Sequence, residues 1–415
     1  MTADASRGWR ASPVYLVVSV LLIASTLRAP ITSVGPVIDR IGESTGLGTS
    51  ALGLLGTLPL IAFAVVSPFV SRMARRWGAA RVVLVALVTL VAATLLRSSP
   101  LGVGALWVGT LAIGAAIAVG NVLVPALVKR DFPREIPLMT GAYTTVLGGF
   151  AAIASGLAVP ITVAYGWRVG IGCWALFGLL AIAAWAPRVG REDAGRQDVT
   201  AAEPNEPRSG ASAVPSRLWT SRDAWWVTAF MGCQSLTFYV LVTWLPSIDV
   251  SYGASSVTAG WHQFGFQLVG VVAGFGITAF MRGRADQRLV AATASLGLAV
   301  GMLGLVLAPS FALAWILLAG ASGGAAFVIS LTLVAQRART AYTAARLSGM
   351  AQGVGYTVAA VGPLLAGIVF DRAGTWMPVV VGVAAVAGVQ LVVGLFAGRD
   401  RYVDEPTAEA PAVVA

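Results

Sequence analysis

Long apolar runs, interrupted at short intervals by clusters of arginine, proline or glycine, set the pattern of this chain. A helix that crosses a bilayer needs about 20 apolar residues at ~1.5 Å rise each. Runs of that kind predict spanning helices at 13–37, 50–71, 82–97, 103–128, 137–163, 168–187, 223–246, 256–281, 287–308, 312–334, 346–370 and 376–398. The runs lack the period-two alternation over about 10 residues that marks barrel strands, which excludes a β-barrel. The 48 glycines are concentrated in these runs. Small residues let helices approach closely in lipid, where no hydrophobic effect draws them together. The expected fold is an all-α membrane protein with twelve transmembrane helices.

One stretch departs from the pattern. Residues 188–222 carry Pro204, Pro207 and Pro215, six arginines and several acids, with almost no apolar run. Such a composition predicts a polar linker, disordered in part. It divides the chain into an N-terminal six-helix bundle (1–187), a cytoplasmic linker (188–222) and a C-terminal six-helix bundle with a short cytoplasmic tail (223–415). Internal matches support a duplication. Pro36-Val37-Ile38-Asp39 corresponds to Pro246-Ser247-Ile248-Asp249 at an offset of 210, Gly114–Asn121 to Gly323–Ser330 at 209, and Thr140-Gly141 to Ser348-Gly349 at 208. Parallel repeats of this kind are related by an axis along the membrane normal, with the substrate site near the midplane at the repeat interface.

Composition agrees. The chain is 57% hydrophobic and 11% charged, against about 25% charged in soluble proteins. Its net charge of +10 need not imply nucleic acid, because the distribution explains it. With the N-terminus placed in the cytoplasm, 23 of the 28 Lys and Arg fall in cytoplasmic segments; Arg40, Arg97, Arg168 and Arg372 fall outside, and Arg28 lies within a span. That is the positive-inside rule, and it predicts a multi-pass protein of the cell inner (plasma) membrane with both termini cytoplasmic. The first apolar run, after Arg7 and Arg10, extends well past the 7–15 residues of a signal core and reads as a retained helix. Cys173 and Cys233 lie in apolar spans and read as packing residues.

The segment Ser71-Arg72-Met73-Ala74-Arg75-Arg76-Trp77-Gly78, between the second and third spans, resembles the loop signature of the major facilitator superfamily. Gly78 and Arg76 fit it, whereas Arg75 stands where the signature has an aspartate. A narrower resemblance is carried by Leu27-Arg28-Ala29-Pro30-Ile31-Thr32-Ser33-Val34-Gly35-Pro36 and by Gly120-Asn121-Val122-Leu123-Val124-Pro125 with Lys129-Arg130-Asp131-Phe132-Pro133. Gly166-Trp167-Arg168, Trp244-Leu245-Pro246, Leu347-Ser348-Gly349-Met350 and Gly355-Tyr356 add to it. These residues look like the cyanate/nitroimidazole (CynX/NimT-type) transporter branch. The resemblance implies the major facilitator fold of two pseudo-symmetric six-helix bundles, and small anionic or nitro-bearing solutes.

Charges inside a membrane are costly and mark function or pairing. All 18 acids fall in the expected loops, linker, tails or helix ends, which leaves Arg28 as the one cation expected within a span. Arg28 lies ~22 Å along the first helix. Its guanidinium keeps its proton and presents a fork that matches planar oxyanions. A substrate anion is the expected partner; snorkelling to the outer interface is the alternative. His262 can donate, accept and titrate near neutrality, which makes it the candidate for proton coupling, or a hydrogen-bonded packing residue. Asn121 offers an amide to substrate or to a neighbouring helix. Gln234, Phe238 and Tyr239 correspond to Ala24, Arg28 and Ala29 at the offset of 210 and are expected to face the same cavity. Tyr143 and the pair Gln352/Tyr356, four residues apart on one helical face, complete the candidate substrate-binding set. Gln263/Gln267 read as facing helix partners.

No metal-ligand spacing, Walker loop or nucleophile elbow is present, so neither an enzyme nor a cofactor or metal is expected. The expectation is a monomeric secondary transporter or facilitator working by alternating access, whose partners are a small-molecule substrate, membrane lipid and, for coupling, protons. Multidrug-type efflux of neutral compounds is the alternative within transport. A non-transporting membrane sensor is the alternative outside it.

Overall fold

The computed structural model describes residues 13–199 and 218–404. Its α-helices are α1 (Pro13–Thr26), α2 (Ala29–Thr32), α3 (Ile38–Thr45), α4 (Thr49–Trp77), α5 (Ala79–Arg97), α6 (Val103–Asp131), α7 (Ile136–Tyr165), α8 (Trp167–Gly172), α9 (Ala175–Val199), α10 (Arg222–Ser251), α11 (Ser256–Met281), α12 (Arg288–Leu307), α13 (Ala312–Gln336), α14 (Ala341–Ala373) and α15 (Met377–Ala397). Among the described residues, twelve helical stretches are long and apolar enough to cross a membrane. Their outer faces leave Val65, Val85, Val272 and Val389 more than half exposed, which suits helices solvated by hydrocarbon rather than water. Several hydroxyls within the spans are satisfied locally: Thr94, Thr110 and Ser295 each donate to the carbonyl four residues back at 2.7–2.8 Å.

Three expectations require correction. The first span is not one helix. It breaks at Leu27-Arg28, ahead of Pro30, which has no N–H to continue the ladder, and again at Ser33-Val34, ahead of Pro36. The segment 71–78 is not a loop: α4 runs on to Trp77, and Gly78 alone, at φ +88°, connects it to α5. Only glycine adopts that backbone without strain. The segment 188–222 is not a linker throughout, since α9 continues to Val199, a short 3-10 turn covers Leu218–Thr220, and α10 begins at Arg222. Residues 200–217 lie outside the described residues.

Contacts divide the chain into two compact units, Met1–Val37 with Ile61–Pro204, and Ile38–Leu60 with Asn205–Ala415. In the first unit, α5 packs on α6 and α9, and α1 on α7 and α9. In the second, the closest pairs are α11 with α13, α10 with α14, and α12 with α15. The α11–α13 seam is built on small residues. A Cβ added at Gly324 would lie 2.0 Å from the Gly270 carbonyl oxygen, and one at Gly320 would lie 2.3 Å from that of Phe266. The second unit also holds the start of α4. The carboxylate of Asp371 accepts from the Ser50 backbone N–H at 2.9 Å and from the Ser50 hydroxyl, and Thr57 Oγ1 donates to the Ala360 carbonyl at 2.7 Å. A carboxylate there caps N–H groups that the first turn of a helix leaves free and complements its dipole.

Candidate functional site

The broken first span is the feature of the first unit that carries chemistry. Arg28 sits at the break as the N-cap of α2, at φ −125° and ψ −34°. Its carbonyl accepts from the N–H groups of Ile31 and Thr32 at 2.9 and 3.0 Å, so α2 hangs from the Arg28 backbone. Unwound backbone at membrane depth is tolerated only where protein or a cavity satisfies it, and here each part of the break is held. Thr32 Oγ1 donates to the Ala151 carbonyl at 3.0 Å, and Ser155 Oγ donates to the Thr32 carbonyl at 3.2 Å, which ties α2 to α7. Ala29 is buried in a cluster with Ala154 and Trp174, flanked by Phe150 and Phe177. Leu27 fills the space over Gly120 on α6, where an added Cβ would lie 2.3 Å from its methyl carbon.

Arg28 itself is half-buried, Asn121 follows Gly120 on α6 and is exposed, and Tyr143 is half-buried on α7. These three candidates belong to the first unit. The expectation that Arg28 is the lone cation within the spans fails, however. Arg97, read as an outer-segment charge, is fully buried; its Nη1 donates to the Pro30 carbonyl at 2.8 Å and its Nη2 reaches the Ile171 carbonyl at 3.5 Å.

The remaining candidates belong to the second unit. Phe238 and Tyr239 on α10 meet edge to face at 5.2 Å between ring centroids, and Tyr239 meets Tyr356 of α14 at 6.5 Å. Aromatic pairs prefer this geometry. Gln234 is buried, its Oε1 accepting from Ser235 Oγ at 3.3 Å. Gln352 donates to Ser348 Oγ at 2.8 Å on the same helical face as Tyr356. His262, near the start of α11, has its Nδ1 2.7 Å from Oδ2 of Asp249. Asp249 lies near the end of α10 and is 1% exposed, and its Oδ1 has no hydrogen-bond partner. A helix-end acid is therefore buried and paired with the coupling candidate.

Comparison with known proteins decides the family. The model of the Major Facilitator Superfamily matches residues 16–363. The chain belongs to the Major Facilitator Superfamily. Within it, the chain is similar to the 2-nitroimidazole transporter of Escherichia coli (strain K12), 39% identical over 392 residues that cover 94% of this chain and 97% of the relative. It is 38% identical over 396 residues to the uncharacterized transporter YycB of Bacillus subtilis (strain 168), covering 94% of each chain. The Escherichia coli cyanate transport protein CynX is 24% identical over 360 residues, 86% of this chain and 90% of the relative. Among solved structures, a D-xylose–proton symporter superposes with a TM-score of 0.75 at 12% identity, covering 94% of this chain and 98% of that one, and shows the shared fold. The protein is a membrane transporter, not an enzyme.

Two buried charged residues beside the candidates, one in each unit, escaped the sequence reading. Arg97 ends an apolar span before Ser98-Ser99-Pro100, where an arginine ordinarily reaches the interface. Asp249 did carry a signal, because the internal repeat pairs it with Asp39. Both aspartates are engaged in the structure: Asp39 accepts from Ser247 Oγ at 2.9 and 3.0 Å, and Asp249 pairs with His262.

Proposed function

We propose that this transporter moves a small, planar, anionic or nitro-bearing solute by alternating access, with Arg28 as the group that binds the oxyanion or nitro oxygens. The observation that carries this is the placement of Arg28 at a helix break whose following turn, α2, is tied to α7 through Thr32. A guanidinium on fixed backbone keeps its fork oriented, which matters more for a planar two-oxygen guest than charge alone. The names of the Escherichia coli relatives, a 2-nitroimidazole transporter and a cyanate transport protein, point to the same class. Asn121 and Tyr143 add polar contacts from the first unit. In the second unit, taken by itself, Gln234, Phe238, Tyr239, Gln352 and Tyr356 offer stacking faces and amides of a kind that suits an aromatic nitro compound.

The Asp249–His262 pair is the coupling element. Binding or release of one proton there changes the pair's charge, which is what a proton-coupled cycle requires. A monovalent anion moving alone gains about 2.3 kcal/mol per 100 mV on leaving a cell that is negative inside. Uptake of an anion against that potential therefore needs at least one co-transported cation or exchange for another anion, and export does not; a neutral solute feels no such drive. The proposed form is a monomer in the inner membrane, with both termini in the cytoplasm, an orientation that the arginine distribution supports. The test is flux of radiolabelled cyanate and of 2-nitroimidazole into proteoliposomes, with and without a pH gradient. Saturable, protein-dependent flux of at least one supports the proposal; flux of neither, in protein that is folded and inserted, refutes it.

A further inference from the structure

Arg97 is the last residue of α5 and one of the largest side chains that is fully buried. It pairs with no carboxylate among the described residues, and its Nε has no hydrogen-bond partner. A desolvated guanidinium costs several kcal/mol unless its donors are well used. What it uses is specific. Nη1 takes the Pro30 carbonyl, two residues beyond Arg28. In an unbroken helix that carbonyl would accept from the Val34 N–H, which instead goes to Ile31 at 3.3 Å. Nη2 takes the Ile171 carbonyl in the last turn of α8, beside the break between α8 and α9. The Trp174 indole takes the neighbouring Gly170 carbonyl at 3.2 Å. One guanidinium thus serves two helix breaks, and the cluster of Ala29 against Trp174 joins those same breaks on their apolar side. The root of Arg97 is fixed as well. A Cβ at Gly109 of α6 would lie 2.7 Å from its Cβ and its backbone nitrogen, so α6 packs directly on it.

We propose that Arg97 is the positioning residue for Arg28: it sets the angle of the α1–α2 break, and hence where the Arg28 guanidinium is delivered. The inference rests on the reading of Arg28 as the substrate-binding group. Arg97 does not meet the substrate. It acts through the Pro30 carbonyl, in the short helix that hangs from the Arg28 backbone.

The test is saturation kinetics in proteoliposomes, using whichever of cyanate or 2-nitroimidazole the wild type transports, for Arg97→Lys, Arg97→Gln, Gly109→Ala, Thr32→Val and Arg28→Ala. Lysine keeps the charge and loses the fork; glutamine keeps an amide donor and loses the charge. In Arg97→Lys, the half-saturation concentration should rise about tenfold or more while maximal flux stays within about twofold, since displacing a binding group by a fraction of an ångström weakens binding before it blocks the cycle. An unchanged half-saturation concentration in folded Arg97→Lys and Arg97→Gln, with Arg28→Ala inactive, overturns the positioning role alone. Wild-type flux in Arg28→Ala, or no flux of either probe in the wild type, overturns the underlying reading and this inference with it. If neither Arg97 variant folds, Gly109→Ala decides. Its added methyl would lie 2.7 Å from the Arg97 Cβ and backbone nitrogen, which displaces the guanidinium without removing it, and an unchanged half-saturation concentration there overturns the proposal; Thr32→Val, which leaves Arg97 in place, should shift that concentration less.

Discussion

Replacing Gly324 with alanine should weaken the second unit, and the same change at Gly323, one residue away, should not. At Gly324 an added Cβ would stand 2.0 Å from the Gly270 carbonyl oxygen and 2.4 Å from the Gly270 Cα, whereas nothing lies within 4 Å of one at Gly323. Ordinary contact begins at 3.4 Å, so α11 and α13 must part by about 1.4 Å along that line, and backbone has no rotamer with which to yield. Overpacking of this kind costs about 1–3 kcal/mol. A gap of ~0.5–1 Å elsewhere along the seam, which includes Gly274 and Gly320, forfeits a quarter to a half of each dispersion contact it opens. Thermal unfolding of the purified protein in detergent, followed by tryptophan fluorescence, reads the difference. Gly323→Ala should melt with the wild type, within the ~0.5 kcal/mol usual for a harmless substitution, and Gly324→Ala should melt distinctly lower. Because α11 also carries His262, the second variant should lose pH-dependent flux as it loosens. Equal melting of the two variants would refute the close-packed seam.

Asp249 and His262 should behave as a coupled pair. Removing one partner of a buried pair costs about 3–5 kcal/mol, so Asp249→Asn and His262→Gln should each destabilise more than their combination suggests, and strict additivity in a double-mutant cycle contradicts the contact. His262→Gln should also abolish any dependence of flux on a pH gradient; coupled flux that survives it removes His262 from coupling. Arg188 bonds to Asp131 and stacks over Trp185 at 4.3 Å, so Arg188→Met should lower the melting temperature, and an unchanged value would deny both contacts. Asp286 lies outside the spans, and its hydrogen bond to Arg288 holds its carboxyl below the ordinary 3.8. The stability it adds is present above that value and is lost as pH falls through the lower folded one. The small margin of wild type over Asp286→Asn in thermal melts should therefore close as pH drops below about 4, and a margin independent of pH contradicts the assignment.

Hydropathy made the twelve spans legible to within a few residues at most ends, and α11 occupies the same range as its expected span. It failed where backbone, not polarity, decides. The apolar run continues across Leu27, Ala29 and Pro30, so a window of about 20 residues passes over a break that one missing N–H creates. The same window ended the second span at the arginines of Ser71–Gly78, although α4 continues through them to Trp77. Burial of single charges was illegible for a different reason. Whether an arginine at the end of a span snorkels or turns inward depends on which carbonyls lie nearby, and those of Pro30 and Ile171 are 67 and 74 residues away in sequence. Asp249 was nearer to being read, since the repeat marks it beside Asp39, but its pairing with His262 depends on how α10 and α11 pack. The aromatic contact of Tyr239 with Tyr356 likewise joins residues that neither local spacing nor the repeat places together.

The claim that substrate binds at the broken first span stands or falls with Arg28. The most direct measurement is flux of cyanate or 2-nitroimidazole in proteoliposomes containing equal amounts of folded wild type, Arg28→Ala and Arg28→Lys. The alanine variant should be inactive, and the lysine variant should recover little, because a point charge does not reproduce the planar fork. Wild-type flux through either variant would contradict the account.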